Sequence, residues 1–206
     1  MLIKASRINN HTDAPYFAAK DVQFLGFNLE AGTSGYLDPM YMRAIREWVE
    51  GPLIVGEFSQ APVAEVREAA AFFGLDAVQV TADYLPELSV LEGLTVLLAV
   101  EADQEAAALE TLFRQAARYV THFVVHFSAK NDLATSTQSQ MDLWKDRCNQ
   151  YSILLHWDGS AAELSTLLTA LQPAGLSLTG GGEEQVGVKS FEEVEEVFDW
   201  LEERGG

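Results

Sequence analysis

The 206-residue sequence has one cysteine, Cys148. No disulfide can form within the chain, and no multi-thiolate zinc or iron–sulfur site can be assembled from it. A reducing, cytoplasmic setting is expected. Positive charge is scarce too: 13 Lys and Arg stand against 31 Asp and Glu, a formal charge of -18. A chain so acidic lacks the electrostatic footprint that binds nucleic acid or an anionic membrane. Long apolar runs are missing, with nowhere roughly 18 consecutive apolar residues of the kind a spanning helix needs. Met1 leads directly into LIKASRI without a basic segment and apolar core, so no export signal is expected.

What the sequence does have is 48% hydrophobic residues, enough for a full core at the upper end of single-domain size. The acidic excess is densest at the end (Glu192, Glu193, Glu195, Glu196, Asp199, Glu202, Glu203) and reads as a solvated helix face. Eight short β-rich runs recur, at 2–6, 22–28, 52–58, 75–81, 94–100, 122–127, 152–157 and 175–180. Most are almost continuously apolar, as strands buried on both faces of a parallel sheet must be. Helix signals lie between them. Asp38-Pro39 offers an N-cap acceptor before a proline, and Pro62 opens the next helix. Ser160 with Glu163 and Ser190 with Glu193 have capping-box spacing. Phe191, Val194, Val197, Phe198 and Leu201 form one apolar stripe on the last helix.

Eight strand–helix units in about 200 residues match the lower size limit of a (β/α)8 TIM barrel. No low-complexity linker divides the chain, so residues 1–206 are expected to form one domain. An open doubly wound sheet would carry a Gly-rich turn after its first strand, and ASRINN is not one. In such a barrel the chemistry sits at the C-terminal strand ends. The polar residues falling there are Ser6, Arg7, Asn28, Glu57, Thr81, Asp83, His126, Ser128, His156, Asp158 and Thr179.

KASRINNHTDA resembles the Lys-Ile-Cys-Gly-Ile-Thr-Asn first-strand motif, followed by Asp-Ala, of phosphoribosylanthranilate isomerases, barrel enzymes of tryptophan biosynthesis. FLGFNL, TSGYLDP, IVGEF, LDAVQVTAD and LTGGGEEQVGVKS follow that family's later motifs in order along essentially the whole chain. The resemblance implies a TIM barrel, an intramolecular aldose–ketose isomerase (an Amadori rearrangement) and a small phosphorylated ligand. No cofactor and no metal are expected, and either a monomer or a homodimer.

The departures fall on the positions that carry the chemistry. Ser6 replaces the family's general-base cysteine, and a hydroxyl cannot serve as a base near neutral pH without a partner. His126 replaces the general-acid aspartate, and an imidazole can move protons. Gly35 replaces the arginine that contacts the anthranilate part, and Thr81 the strand-four histidine. Trp157 and Asp158 replace the Gly-Gly of the phosphate cradle. An indole there would act as a plug or a platform, and a carboxylate would repel phosphate. Thr179, Gly180 and Gly181 remain as half an anion nest. Lys4, Asp13, Gly26, Gln79 and other matches read as scaffold.

The expectation is a divergent paralogue with its isomerase activity lost or strongly reduced, binding or transforming another small molecule, a sugar phosphate among the candidates. The alternative is a working isomerase with His126 as acid and Glu57 or Asp83 as base. A third reading is a regulatory or assembly module. Two sharper options are Ser6 as a nucleophile served by His126 or His156, and His126, Glu57 and His156 as a metal ring. Cys148, beside Trp144, reads as a buried apolar filler.

Overall fold

Strands β1 (Leu2–Ser6), β2 (Phe24–Asn28), β3 (Leu53–Glu57), β4 (Ala77–Thr81), β5 (Thr95–Glu101), β6 (His122–Phe127), β7 (Ile153–Trp157) and β8 (Gly175–Thr179) pair in chain order, all parallel. β8 pairs back onto β1, from Leu2 opposite Gly175 to Ser6 opposite Thr179, and closes the barrel. The computed structural model describes residues 1–9, 13–127, 138–157, 161–179, 183–185, 188–189 and 191–205.

Around the barrel run α1 (Asp13–Ala19), α2 (Pro39–Trp48), α3 (Val63–Phe73), α4 (Ala106–Ala116), α5 (Gln138–Gln150), α6 (Ala161–Leu171) and α7 (Glu192–Gly205). The expected eight strand–helix units hold with one exception. After β4 the chain forms a 3₁₀ segment, Ala82–Leu91, with Pro86 inside it. Proline removes a backbone N–H and pushes the preceding residue away from helical geometry, so a regular α-helix is not available there. A small antiparallel hairpin, β9 (Glu183–Gln185) and β10 (Val188–Lys189), follows β8 and was not foreseen.

Strand alternation sorts the apolar residues into two cores. Outward side chains such as Leu25, Phe27, Val80, Leu98, Val125 and Leu155 pack under the helices in one large cluster. Inward Phe24, Val55, Ala77, Leu97, Val124 and Leu154, with Leu2 against them, form a separate apolar floor inside the barrel. Polar inward residues stack above that floor, toward the C-terminal strand ends.

Local signals behave as their chemistry dictates. The Asp38 carboxylate accepts from the Met40 amide at 2.8 Å and caps α2. Pro62 occupies the cap position of α3 rather than its first turn. Ser160 and Ser190 lie outside the described residues. On α7, Val197 and Phe198 are buried, and Phe191, Val194 and Leu201 pack on the same layer. Cys148 sits partly buried on α5, where burial pushes its thiol up to about 12 and keeps it protonated. No helix among the described residues is long and apolar enough to cross a membrane.

Candidate functional site

The inward phase of β1 carries Leu2, Lys4 and Ser6, so Lys4 stands between the apolar floor and the mouth. Its side chain is fully buried. A buried ammonium costs several kcal/mol unless it is paired and hydrogen-bonded. Here it forms an ion pair with Glu57 Oε1 at the end of β3 and donates to Ser6 Oγ at 2.6 Å. Burial alone would raise the Glu57 carboxyl, but attraction and hydrogen bonding from Lys4, with the Arg7 amide on Oε2 at 3.2 Å, hold it below its ordinary value.

Gly26 on β2 makes room for this pair. A Cβ there would run into Glu57 Oε1 and stand 2.7 Å from Lys4 Nζ. The glycine read as scaffold is thus the wall against which the ion pair is packed.

The polar chain continues across the β1–β8 seam. Ser6 Oγ lies 2.9 Å from Ser177 Oγ, and Ser177 Oγ lies 3.2 Å from His156 Nδ1 on β7. His156 Nε2 faces Thr179 Oγ1 at 3.5 Å, the outer limit of a hydrogen bond. The His156 ring stacks on His126 of β6, centroids 4.3 Å apart and planes 25° apart. His126 Nδ1 lies 3.8 Å from Glu101 Oε1 on β5. Burial and the nearby Asp103 raise the Glu101 carboxyl despite the opposing pull of His156. Six strands contribute to one connected polar layer.

Ser6, Glu57, His126 and Thr179 all join this layer, although Glu57 is turned to Lys4. Asp83 is exposed on the first turn of the 3₁₀ segment. Thr81 is half-buried at the end of β4, its hydroxyl 3.4 Å from the Ser59 carbonyl. Gly35 lies in the loop after β2, which Asn28 ties together through Thr33 and Ser34. Its φ of 77° is strained for any L side chain, an arginine included. Trp157 has the opposite strand phase to His156 and packs on the outer apolar cluster. Asp158, Gly180 and Gly181 lie outside the described residues, as does Ser128. Among the described residues no three His, Cys, Asp or Glu side chains are placed to hold a metal, so the His126, Glu57 and His156 ring is not assembled.

Four contributors were missed as functional residues or undervalued. Lys4 and Gln79 were read as scaffold, and Ser177 and Glu101 were not singled out. The signal for Ser177 and Lys4 is their position two residues before Thr179 and Ser6 on the same strand face. Gln79 Oε1, buried at the register position opposite Glu57, is an acceptor without a protein partner among the described residues. Arg7 was named only as a mouth residue. It adopts a left-handed φ of 55°, at the position where the resembled motif has glycine. That conformation costs an arginine on the order of 1–2 kcal/mol, and the Glu57 bond to its amide holds it there.

No protein-family model matches the sequence, and no curated protein matches it. Solved structures do match. Phosphoribosyl anthranilate isomerase from Thermus thermophilus superposes with a TM-score of 0.74 at 22% identity, over 98% of this chain and 99% of that one. A phosphoribosyl anthranilate isomerase in complex with reduced 1-(o-carboxyphenylamino)-1-deoxyribulose 5-phosphate superposes with a TM-score of 0.74 at 16% identity, over 97% of each chain. KGPDC from Streptococcus mutans reaches 0.67 at 11% identity, over 98% of this chain and 97% of that one. The chain shares their barrel fold over nearly its whole length.

Proposed function

We propose that this protein is a diverged phosphoribosylanthranilate isomerase-like barrel that no longer runs the isomerase reaction and uses its mouth on another small molecule. The observation that carries this reading is the state of Ser6. At the position of the family's general base, its oxygen accepts from the Lys4 ammonium and borders the Ser177 hydroxyl. A group already accepting from a cation is poorly suited to take a proton from a substrate carbon.

The substitutes offer little more. Glu57 is held below its ordinary range by its ion pair, which makes it a weak base. Asp83 is exposed. One observation favours the alternative of a working isomerase: His126, at the end of β6, has Glu101 within 3.8 Å, a setting that suits an imidazolium acid. Even so, an acid without a base opens no aminoaldose.

An isomerase of the same fold holds reduced 1-(o-carboxyphenylamino)-1-deoxyribulose 5-phosphate; for this mouth a sugar phosphate is one candidate ligand, with Asp158 at the cradle position weighing against it. The test is genetic. Expressed in a bacterium lacking phosphoribosylanthranilate isomerase, the protein should not restore growth without tryptophan. Rescue by the wild type, lost with His126→Ala, would establish the alternative.

A further inference from the structure

The hydroxyl chain at the barrel mouth is fixed at one end: Lys4 can only donate, so Ser6 accepts from it. In the His156 tautomer that carries its proton on Nε2, the Ser177 hydroxyl donates to Nδ1 and the Ser6 hydroxyl donates to Ser177. Every proton then points from Lys4 toward His156. Lys4 and Ser177 are both 0% exposed, whereas Ser6 and His156 each keep 5%. A hydrogen-bonded path joins two residues that each keep a trace of exposure, with the Lys4 ammonium beside one of them.

We infer that Ser6 is an activated nucleophile for acyl transfer, with His156 accepting its proton through Ser177. Two elements such a nucleophile needs are present: a hydroxyl and a proton acceptor connected to it. The Lys4 ammonium, 2.6 Å from Oγ, offsets negative charge that builds on Oγ only as its proton moves toward Ser177 during attack, and Glu57 fixes that ammonium in place.

The step balances. Ser6 Oγ attacks the carbonyl carbon of a small ester, the Oγ–C bond forms and the bond to the leaving oxygen breaks. The Ser6 proton passes to Ser177 while the Ser177 proton passes to His156. His156 gives that proton to the departing alkoxide, which leaves as the alcohol; water then attacks the acyl carbon and loses a proton to His156, the acyl–Oγ bond breaks, and a proton returns through Ser177 to Ser6. His156 is flanked by His126 from β6, Ser177 and Thr179 from β8, and within electrostatic reach by Glu101 from β5. Nothing in the step draws on the isomerase reaction, and its outcome is independent of whether that reaction survives.

The probe is methanesulfonyl fluoride, small enough for a narrow mouth. Ser6 Oγ would form a bond to sulfur, and fluoride would leave. Intact-mass and peptide mass spectrometry on the full chain should find one methanesulfonyl group, on Ser6, and none in Ser6→Ala. His156→Asn keeps an acceptor near the Nδ1 position but cannot take the proton. It should melt like the wild type yet label at least about 100-fold more slowly, the usual range for a lost general base. Ser177→Ala should fall by a similar factor, and the double variant should fall no further, because both act on one path. Absence of an adduct on Ser6 overturns the proposal. So does labelling of His156→Asn at the wild-type rate, or a double variant whose losses multiply.

Discussion

At the scale of single residues, the fully buried Lys4 is the side chain on which the polar layer turns, because both Glu57 and Ser6 take their places from it. Removing one member of a buried pair leaves the other charge uncompensated, at a cost of about 3–5 kcal/mol. Lys4→Met should therefore lower stability by about that amount in urea titration. Combining it with Glu57→Met should recover much of the loss, since a well-packed apolar pair often stands in for a buried ion pair at little cost. Additive losses would mean the two charges do not depend on each other. Gly26 belongs to the same unit, since a Cβ there meets both charged ends. The sequence displayed Ser6, Glu57, His126 and Thr179 as polar strand ends, and they do join one layer. It hid their partners, because Ser6 and Ser177 are 171 positions apart and only barrel closure sets β8 beside β1 in that register. Trp157 shows the converse limit. A one-residue step along a strand reverses the face, and the half-buried indole packs against the outer apolar cluster.

At the scale of elements, the joint between β3 and α3 depends on Glu30, a buried carboxylate from the loop after β2. It accepts from the Ser59 amide at 2.8 Å, the Ser59 hydroxyl at 2.6 Å and the Gln60 amide at 2.8 Å. Burial would raise its pKa, but the Ser59 bonds first, then those from Gln60 and Ala61, bring it below the ordinary value. Glu57 is lowered as well. A carboxyl lowered by folding contributes stability that is present above its unfolded value of about 4.3 and is lost as pH falls through the folded value. The urea midpoint should drop as pH is lowered from 6 to 3, and Glu30→Gln should make that drop shallower. An unchanged acid limb in the variant would show that Glu30 does not carry the effect. Element boundaries were largely legible, because apolar runs and caps are local signals. The 3₁₀ segment after β4 departed from the regular pattern because Pro86 interrupts it, and the β9–β10 hairpin had too few residues to leave a pattern.

At the scale of the whole molecule, a barrel that superposes on isomerases at TM-scores up to 0.74 carries a mouth in which Ser6 is bonded to Lys4 and lies beside Ser177. The fold was legible from eight apolar runs and from the order of the motifs, since a parallel barrel imposes both. The proposed loss of the reaction was legible in the sequence only as substitutions. The structure adds that Ser6 accepts a hydrogen bond from the Lys4 ammonium. A fold hosts many activities, so the decision rests with the site. The most direct measurement follows phosphoribosylanthranilate consumption by the purified protein under saturating substrate. The account predicts a rate indistinguishable from buffer. Turnover on the order of 1 s⁻¹ or faster, the ordinary range for enzymes, would contradict it.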